Sequence, residues 1–216
     1  MPQETEIKLR ITNEKSFLRT VKRLGAKPRD GATARVHELN VIFDTPDGAL
    51  AKRGQLLRIR TEVAPPKNKK KPVFKPRVIV TFKSPVADQA AVSSVSPSGR
   101  HKIREEIEME VSDAGILTKI FEGLGMRGWF RYEKYRTTFA MPAKKTWARG
   151  LLIELDETPI GSFVELEGPA DAIDRAATEL GFSKRDYIST NYLALYAQEC
   201  RRLGQQPRDM LFTKPK

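Results

Sequence analysis

Glu4-Thr5-Glu6-Ile7-Lys8-Leu9-Arg10-Ile11 alternates charged and largely apolar side chains along its whole length. In a β-strand, successive side chains point to opposite faces, so Glu4, Glu6, Lys8 and Arg10 share one face. Thr5, Ile7, Leu9 and Ile11 share the other, which is the face that packs. The charged face is the informative one, because an ordinary solvated face needs no close-set pairs of both signs. The pattern recurs along the chain. Residues 56–63 set Arg58, Arg60 and Glu62 against Leu57, Ile59 and Val63, and residues 104–111 set Arg104, Glu106, Glu108 and Glu110 against Ile107, Met109 and Val111. Glu154 with Asp156 and Glu165 with Glu167 repeat it with acids, residues 78–83 deliver Lys83, and residues 130–139 deliver Lys134 and Arg136. One such strand is a sheet with one wet face. Six or seven together predict a closed barrel with a charged interior.

The rest of the chain bounds this reading. A length of 216 residues suits one substantial domain, expected over 1–204 with a C-terminal tail at 205–216. The 39% hydrophobic and 31% charged content is globular but polar. No apolar run is long enough to span a membrane and no signal-like segment stands near Met1, so a cytoplasmic protein without a membrane partner is expected. One cysteine, Cys200, excludes an internal disulfide and a cysteine-rich metal site. The net charge of +12 suggests an anionic partner. Part of that surplus is local: the Pro- and Lys-rich stretch at 64–77 reads as a solvated loop, with no aromatic platform for nucleic acid. A second loop is expected at 86–101.

Three segments share a plan of charged strand, polar cap, amphipathic helix and Leu-Gly. Asn13 precedes Phe17, Val21 and Leu24; Ser112 or Asp113 precedes Ile116, Leu117, Ile120, Phe121 and Leu124; Asp171 starts a helix carrying Ile173, Ala177 and Leu180. Gly25, Gly125 and Gly181 suit left-handed helix ends. A fourth helix is predicted over 190–203. These stripes are expected to be core, packed outside the barrel on its apolar parity. Tyr192 is expected in the core of that fourth helix, with a place at the mouth of the barrel as the alternative.

Carboxylates converging from several strands suit a hard divalent cation, Mg²⁺ or Mn²⁺. His37 and His101 lack ligand spacing and are expected to be surface or structural residues, which disfavours zinc. Lys8, Arg58, Arg60, Lys83, Lys134 and Arg136 match phosphate oxygens. No glycine-rich phosphate loop is present, so phosphate binding falls to side chains. A cation and a phosphate chain together would reconcile acids and bases in one enclosed space.

These residues resemble the CYTH, or triphosphate tunnel metalloenzyme, superfamily. The resemblance rests on E-x-E-x-K at Glu4, Glu6 and Lys8; L-R-I-R at 57–60; T-x-K at Thr81 and Lys83; R-x-E-x-E at 104–108; K-x-R at Lys134 and Arg136; a late acidic strand with Asp156; and G-x-F-x-E-x-E-G at 161–168. It implies an α+β fold, an antiparallel eight-stranded tunnel that binds a triphosphate with Mg²⁺ or Mn²⁺. By position it implies Glu4, Glu6, Glu165 and Glu167 as the main metal-facing acids, with Glu106, Glu108, Glu154 and Asp156 as helpers. The six bases above become the phosphate set. Lys8 and Glu6 become the catalytic candidates, with Lys8 either moving a proton or simply clamping phosphate. Ile42 stands where the family often has an aromatic residue. The expected activity is hydrolysis of inorganic triphosphate, with adenylate cyclase as the alternative and thiamine triphosphatase or a non-catalytic polyanion-binding module behind it. A homodimer is left open.

Overall fold

The computed structural model describes residues 2–29, 35–64, 76–86 and 101–213. Most of the two expected loops, residues 65–75 and 87–100, lies outside the described residues.

The alternating segments form one antiparallel sheet that closes on itself. β1 (Gln3–Ile11) pairs on one edge with β6 (Lys102–Val111) and on the other with β9 (Gly161–Glu167). From β6 the order runs through β5 (Arg77–Pro85), β4 (Leu56–Val63) and β3 (Arg35–Asp44) to β7 (Arg127–Ala140). β8 (Leu152–Thr158) joins β9 to β7 and closes an eight-stranded barrel, while the two-residue β2 (Lys27–Pro28) flanks β7. β8 meets β7 only from Tyr135 onward. Where β8 stops, Met210 takes up the β7 edge: its N–H donates to the Arg131 carbonyl and its own carbonyl accepts from the Glu133 N–H. The segment after Gly204 is therefore tied to the barrel wall, with Met210 fully buried.

The two parities separate as the alternation requires. Ile7, Leu9 and Ile11 turn outward under α1 (Glu14–Arg23) and α4 (Ala170–Glu179), in a core that includes Phe17, Val21, Ile173 and Ala177. Asn13 and Asp113 cap α1 and α3 (Ala114–Gly123), accepting from Ser16 N–H and Ile116 N–H, and Gly25, Gly125 and Gly181 all have positive φ. α2 (Ala49–Lys52) is a single turn held by Asp44, whose carboxylate accepts the N–H groups of Leu50 and Ala51. The Phe-Asp-Thr stretch is thus a structural cap leading into β4.

One expectation fails outside the barrel. Leu117 and Phe121 pack on Phe43, Ile59 and Val78, but Ile116, Ile120 and Leu124 stand in solvent at 61%, 52% and 71% exposure. The other half of the barrel carries two helices over its apolar face. Here α3 packs by itself among the described residues, so its second apolar stripe and the outward Ile107 and Met109 remain uncovered.

Gly168 ends β9 directly after Glu167 at φ +143°, and a Cβ there would lie 2.7 Å from the Gly150 carbonyl oxygen. Gly168→Ala is therefore expected to lower unfolding stability by about 2 kcal/mol or more. A urea melt with an unchanged midpoint would refute this.

Candidate active site

Antiparallel register brings the charged parity of each strand onto the lumen. Glu4 lies opposite Arg104, Glu6 opposite both Lys102 and Glu167, and Lys8 opposite Glu165. Arg58 faces Thr81 across β4 and β5, and Lys134 faces Glu38 across β7 and β3. The cavity they line measures about 930 Å³. As many acids as bases line it, so the chain's positive surplus sits elsewhere.

Nearly every lumen charge has an opposite partner. Lys8 Nζ is 2.7 Å from Glu165 Oε1, Lys83 Nζ is 2.5 Å from Glu4 and 3.1 Å from Glu106, and Lys102 Nζ is 2.5 Å from Glu6. Arg136 Nε lies 2.7 Å from Asp156, and its two Nη atoms contact Glu154 and Glu165. Lys134 Nζ reaches Asp156 at 2.9 Å and Glu38 at 3.5 Å. Arg58 donates to Thr81 at 3.1 Å and to Glu108 at 3.3 Å, and Arg60 lies 3.5 Å from the same Glu108 oxygen.

These contacts set the protonation states. Burial pushes the Glu6 carboxyl up, but Lys102, Lys8 and Lys83 outweigh it and hold the group at about 2. Burial also opposes charge on Lys8, yet Glu165 and Glu6 keep its ammonium raised above the ordinary lysine value. Three acids move the other way. Burial, reinforced by Glu154 and Glu4, pushes Glu167 up to about 8; burial with Glu4 and Glu108 pushes Glu106 up to about 7; Glu154 is raised by burial, which Arg136 only partly offsets.

The lumen therefore collects the expected residues Glu4, Glu6, Lys8, Arg58, Arg60, Lys83, Glu106, Glu108, Lys134, Arg136, Glu154, Glu165 and Glu167. Asp156 lies on the same face of β8 as Glu154 but is covered at 0% exposure, its oxygens taken by Lys134, Arg136 and the Tyr192 hydroxyl. Arg10 and Glu110 share the charged parity but lie at exposed ends of their strands. His101 is buried against Asp174, 2.9 Å away, which also accepts from the Tyr187 hydroxyl, and His37 lies 3.4 Å from Glu133. Both histidines are structural.

Several members carried no sequence signal of their own. Glu38 is buried between Lys134 and Arg136; burial pushes its carboxyl up, but those cations hold it at about 2. Asn40, wholly buried on the same face of β3, has neither amide atom hydrogen-bonded. Only the period-two step back from Ile42 to Asn40 and Glu38 would have found them. Tyr192 opens α5 (Tyr192–Arg202) and does more than fill a helix core. Its hydroxyl donates to Asp156 at 2.6 Å, and Lys8 Nζ stands 4.5 Å from its ring centre.

The donor set suits a hard divalent cation. Every candidate ligand is a carboxylate oxygen, and Glu167, raised by burial and by Glu154 and Glu4, is a place where a cation would replace a proton. Among the described residues no three such groups already converge on one point, because the cations hold several of them apart.

A closed antiparallel barrel lined by paired acids and bases, with helices outside, is the architecture these residues build. The chain belongs to the CYTH family: the CYTH domain family model matches residues 2–191. Solved structures share the fold. A candidate adenylate cyclase from Vibrio parahaemolyticus has a TM-score of 0.65 at 18% identity, covering 88% of this chain and 94% of its own. The PH1819 protein from Pyrococcus horikoshii has a TM-score of 0.65 at 19% identity, covering 92% and 98%. The candidate adenylyl cyclase HpAC1 from Hippeastrum, described as having a dominant triphosphatase activity, has a TM-score of 0.54 at 20% identity, covering 94% and 97%. No match to a curated protein is found.

The raised Glu167 has a consequence for stability. Its folded value of about 8 lies above its ordinary 4.5, so between those pH values the folded chain holds a proton that the unfolded chain has released. Stability is then fully present below pH 4.5 and falls as pH rises towards 8. Without divalent metal, the melting temperature is expected to drop between pH 5 and pH 8, and Glu167→Gln to shrink that drop by about 3 °C or more. Identical pH slopes in the two proteins would contradict this.

Proposed function

We propose that the chain is a divalent-metal-dependent triphosphatase acting on inorganic triphosphate. The observation that carries this reading is the exchangeable pairing in the lumen. Lys8, Arg58, Arg60, Lys83, Lys134 and Arg136 are ammonium and guanidinium groups whose partners are carboxylates. Phosphate oxygens replace a carboxylate in the same geometry. The acids so released, Glu4, Glu106, Glu108, Glu154, Asp156 and Glu165, with Glu6 and Glu167 beside them, are the residues that would hold Mg²⁺ or Mn²⁺. When bound, such a cation supplies charge neutralisation on phosphoryl oxygens and a more acidic water.

The chain's own residues do the positioning. Lys134 and Arg136, on one face of β7, present a point charge and a fork to successive phosphoryl groups. Arg58, fixed by Thr81 and the Tyr132 hydroxyl, holds its guanidinium in one orientation. Lys8 is kept charged by Glu165 and Glu6, so it clamps phosphate and stabilises the charge that develops on the leaving group. The Tyr192 ring over Lys8 and Lys134 keeps both ammonium groups facing the lumen.

A substrate panel scored by product tests the proposal. With Mg²⁺ or Mn²⁺, inorganic triphosphate is expected to yield phosphate and pyrophosphate faster than ATP or thiamine triphosphate is turned over. Cyclic AMP with pyrophosphate from ATP would instead make the chain a cyclase. Glu6→Gln and Lys8→Ala are each expected to lower kcat by about a hundredfold or more while circular dichroism stays that of the folded barrel. Full metal-dependent turnover in both variants would remove these residues from the site. Polyanion binding that needs no metal and yields no product would reduce the chain to a binding module.

A further inference from the structure

Arg104 stands apart from the other buried cations of the tunnel. It is 8% exposed, lines the cavity and lies opposite Glu4 in the β1–β6 register. Lys8, Arg58, Lys83 and Lys134 each have a carboxylate within 4 Å, whereas Arg104 has none among the described residues. Its Nη2 donates to the Gly54 carbonyl at 2.6 Å, and its Nε is buried with no acceptor. A buried guanidinium with one neutral partner is an expensive arrangement unless a further acceptor completes it.

The carbonyl of Gly54 does not neutralise Arg104; it aims it. That carbonyl belongs to the turn between α2 and β4, which Asp44 holds through α2. One arm of the guanidinium is thereby fixed at the barrel rim beside Lys83 and Lys102. Lys83 and Lys102 must first give up Glu4, Glu106 and Glu6 before they can meet an anion. Arg104 needs no such exchange.

We propose that Arg104 forms an anion subsite at the Gly54 end of the tunnel, where it binds a phosphoryl group of a condensed phosphate. The inference rests on the triphosphate reading above and adds a binding residue to it. The alternative is a purely structural tie between β6 and the Gly54 turn, and the two roles make opposite demands on the side chain. Glutamine keeps an N–H donor for the Gly54 carbonyl and drops the charge. Lysine keeps the charge and drops the fork.

Calorimetric titration of the full chain with inorganic triphosphate, in metal-free buffer at low salt, reads the difference. The expected order of affinity is wild type, then R104K, then R104Q, with R104Q about tenfold or more weaker than wild type. R104Q is expected to melt within about 3 °C of wild type, since burial opposes the charge it removes and Glu6, Glu4 and Glu106 only partly offset that. Wild-type affinity in R104Q, or an affinity in R104Q at or above that of R104K, would overturn the subsite. Should R104Q not fold, R104K decides alone: affinity at least twofold below wild type supports the subsite, and parity with wild type overturns it. A wild-type protein that binds no triphosphate either in this buffer or with Mg²⁺ added would instead overturn the triphosphate reading itself.

Discussion

Charges removed from water must find partners, and in this protein they find them from strand to strand around the inner wall. β1, β4 and β6 bring both signs to the inner face, whereas β7 brings only bases and β8 and β9 only acids, so the pairs form between strands. Arg136 on β7 needs Asp156 and Glu154 from β8 and Glu165 from β9; Lys83 on β5 needs Glu4 from β1 and Glu106 from β6. An open sheet would leave these groups in bulk water, where such pairs contribute little. Closure brings them within 3 Å or so of one another, in a medium that screens them far less. The same closure turns Ile7, Leu9 and Ile153 outward, where α1 and α4 cover them.

A network of this kind is satisfied without being inert. Its acids are not equivalent: Glu6 and Glu38 are held strongly ionised by nearby cations, whereas Glu167 and Glu106 are crowded by other carboxylates and retain protons to higher pH. The lumen thus has one region where an incoming anion replaces a carboxylate and another where an incoming cation replaces a proton. A polyanion and a divalent cation carry opposite charges, so the two exchanges offset each other when they occur together. This is the physical content of the proposed triphosphate chemistry.

The sequence displayed the barrel because period two is a local property. Glu4-Thr5-Glu6-Ile7-Lys8 needs no partner to be read, and the same holds for Arg58 to Glu62 and Glu165 to Glu167. Residues whose role depends on register or on distant elements were less legible. Glu38 and Asn40 sit in a strand whose His37 and Leu39 give no clean alternation, and only their pairing with Lys134 and Tyr132 shows them to be inside. Tyr192 looked like helix filling because nothing local says that α5 begins over the lumen. Asp156 reads as an acid of its strand, but its ties to Lys134, Arg136 and the Tyr192 hydroxyl depend on elements far away in the chain. The apolar stripe of Ile116 and Ile120 was read as core because periodicity reports amphipathicity and not how many partners an amphipathic helix finds.

The strand addition at Met210 bears on more than the wall it completes. A barrel seam left unpaired is a row of free amide and carbonyl groups, open to annealing with any extended peptide. Here the chain's own late segment occupies that row and holds Tyr132 between Arg131 and Glu133, and the Tyr132 hydroxyl steadies the guanidinium of Arg58. Peeling this segment away would at once expose an adhesive rim and loosen a phosphate-facing arm. Closure of the wall and the orientation of Arg58 are thereby linked through one short stretch of backbone.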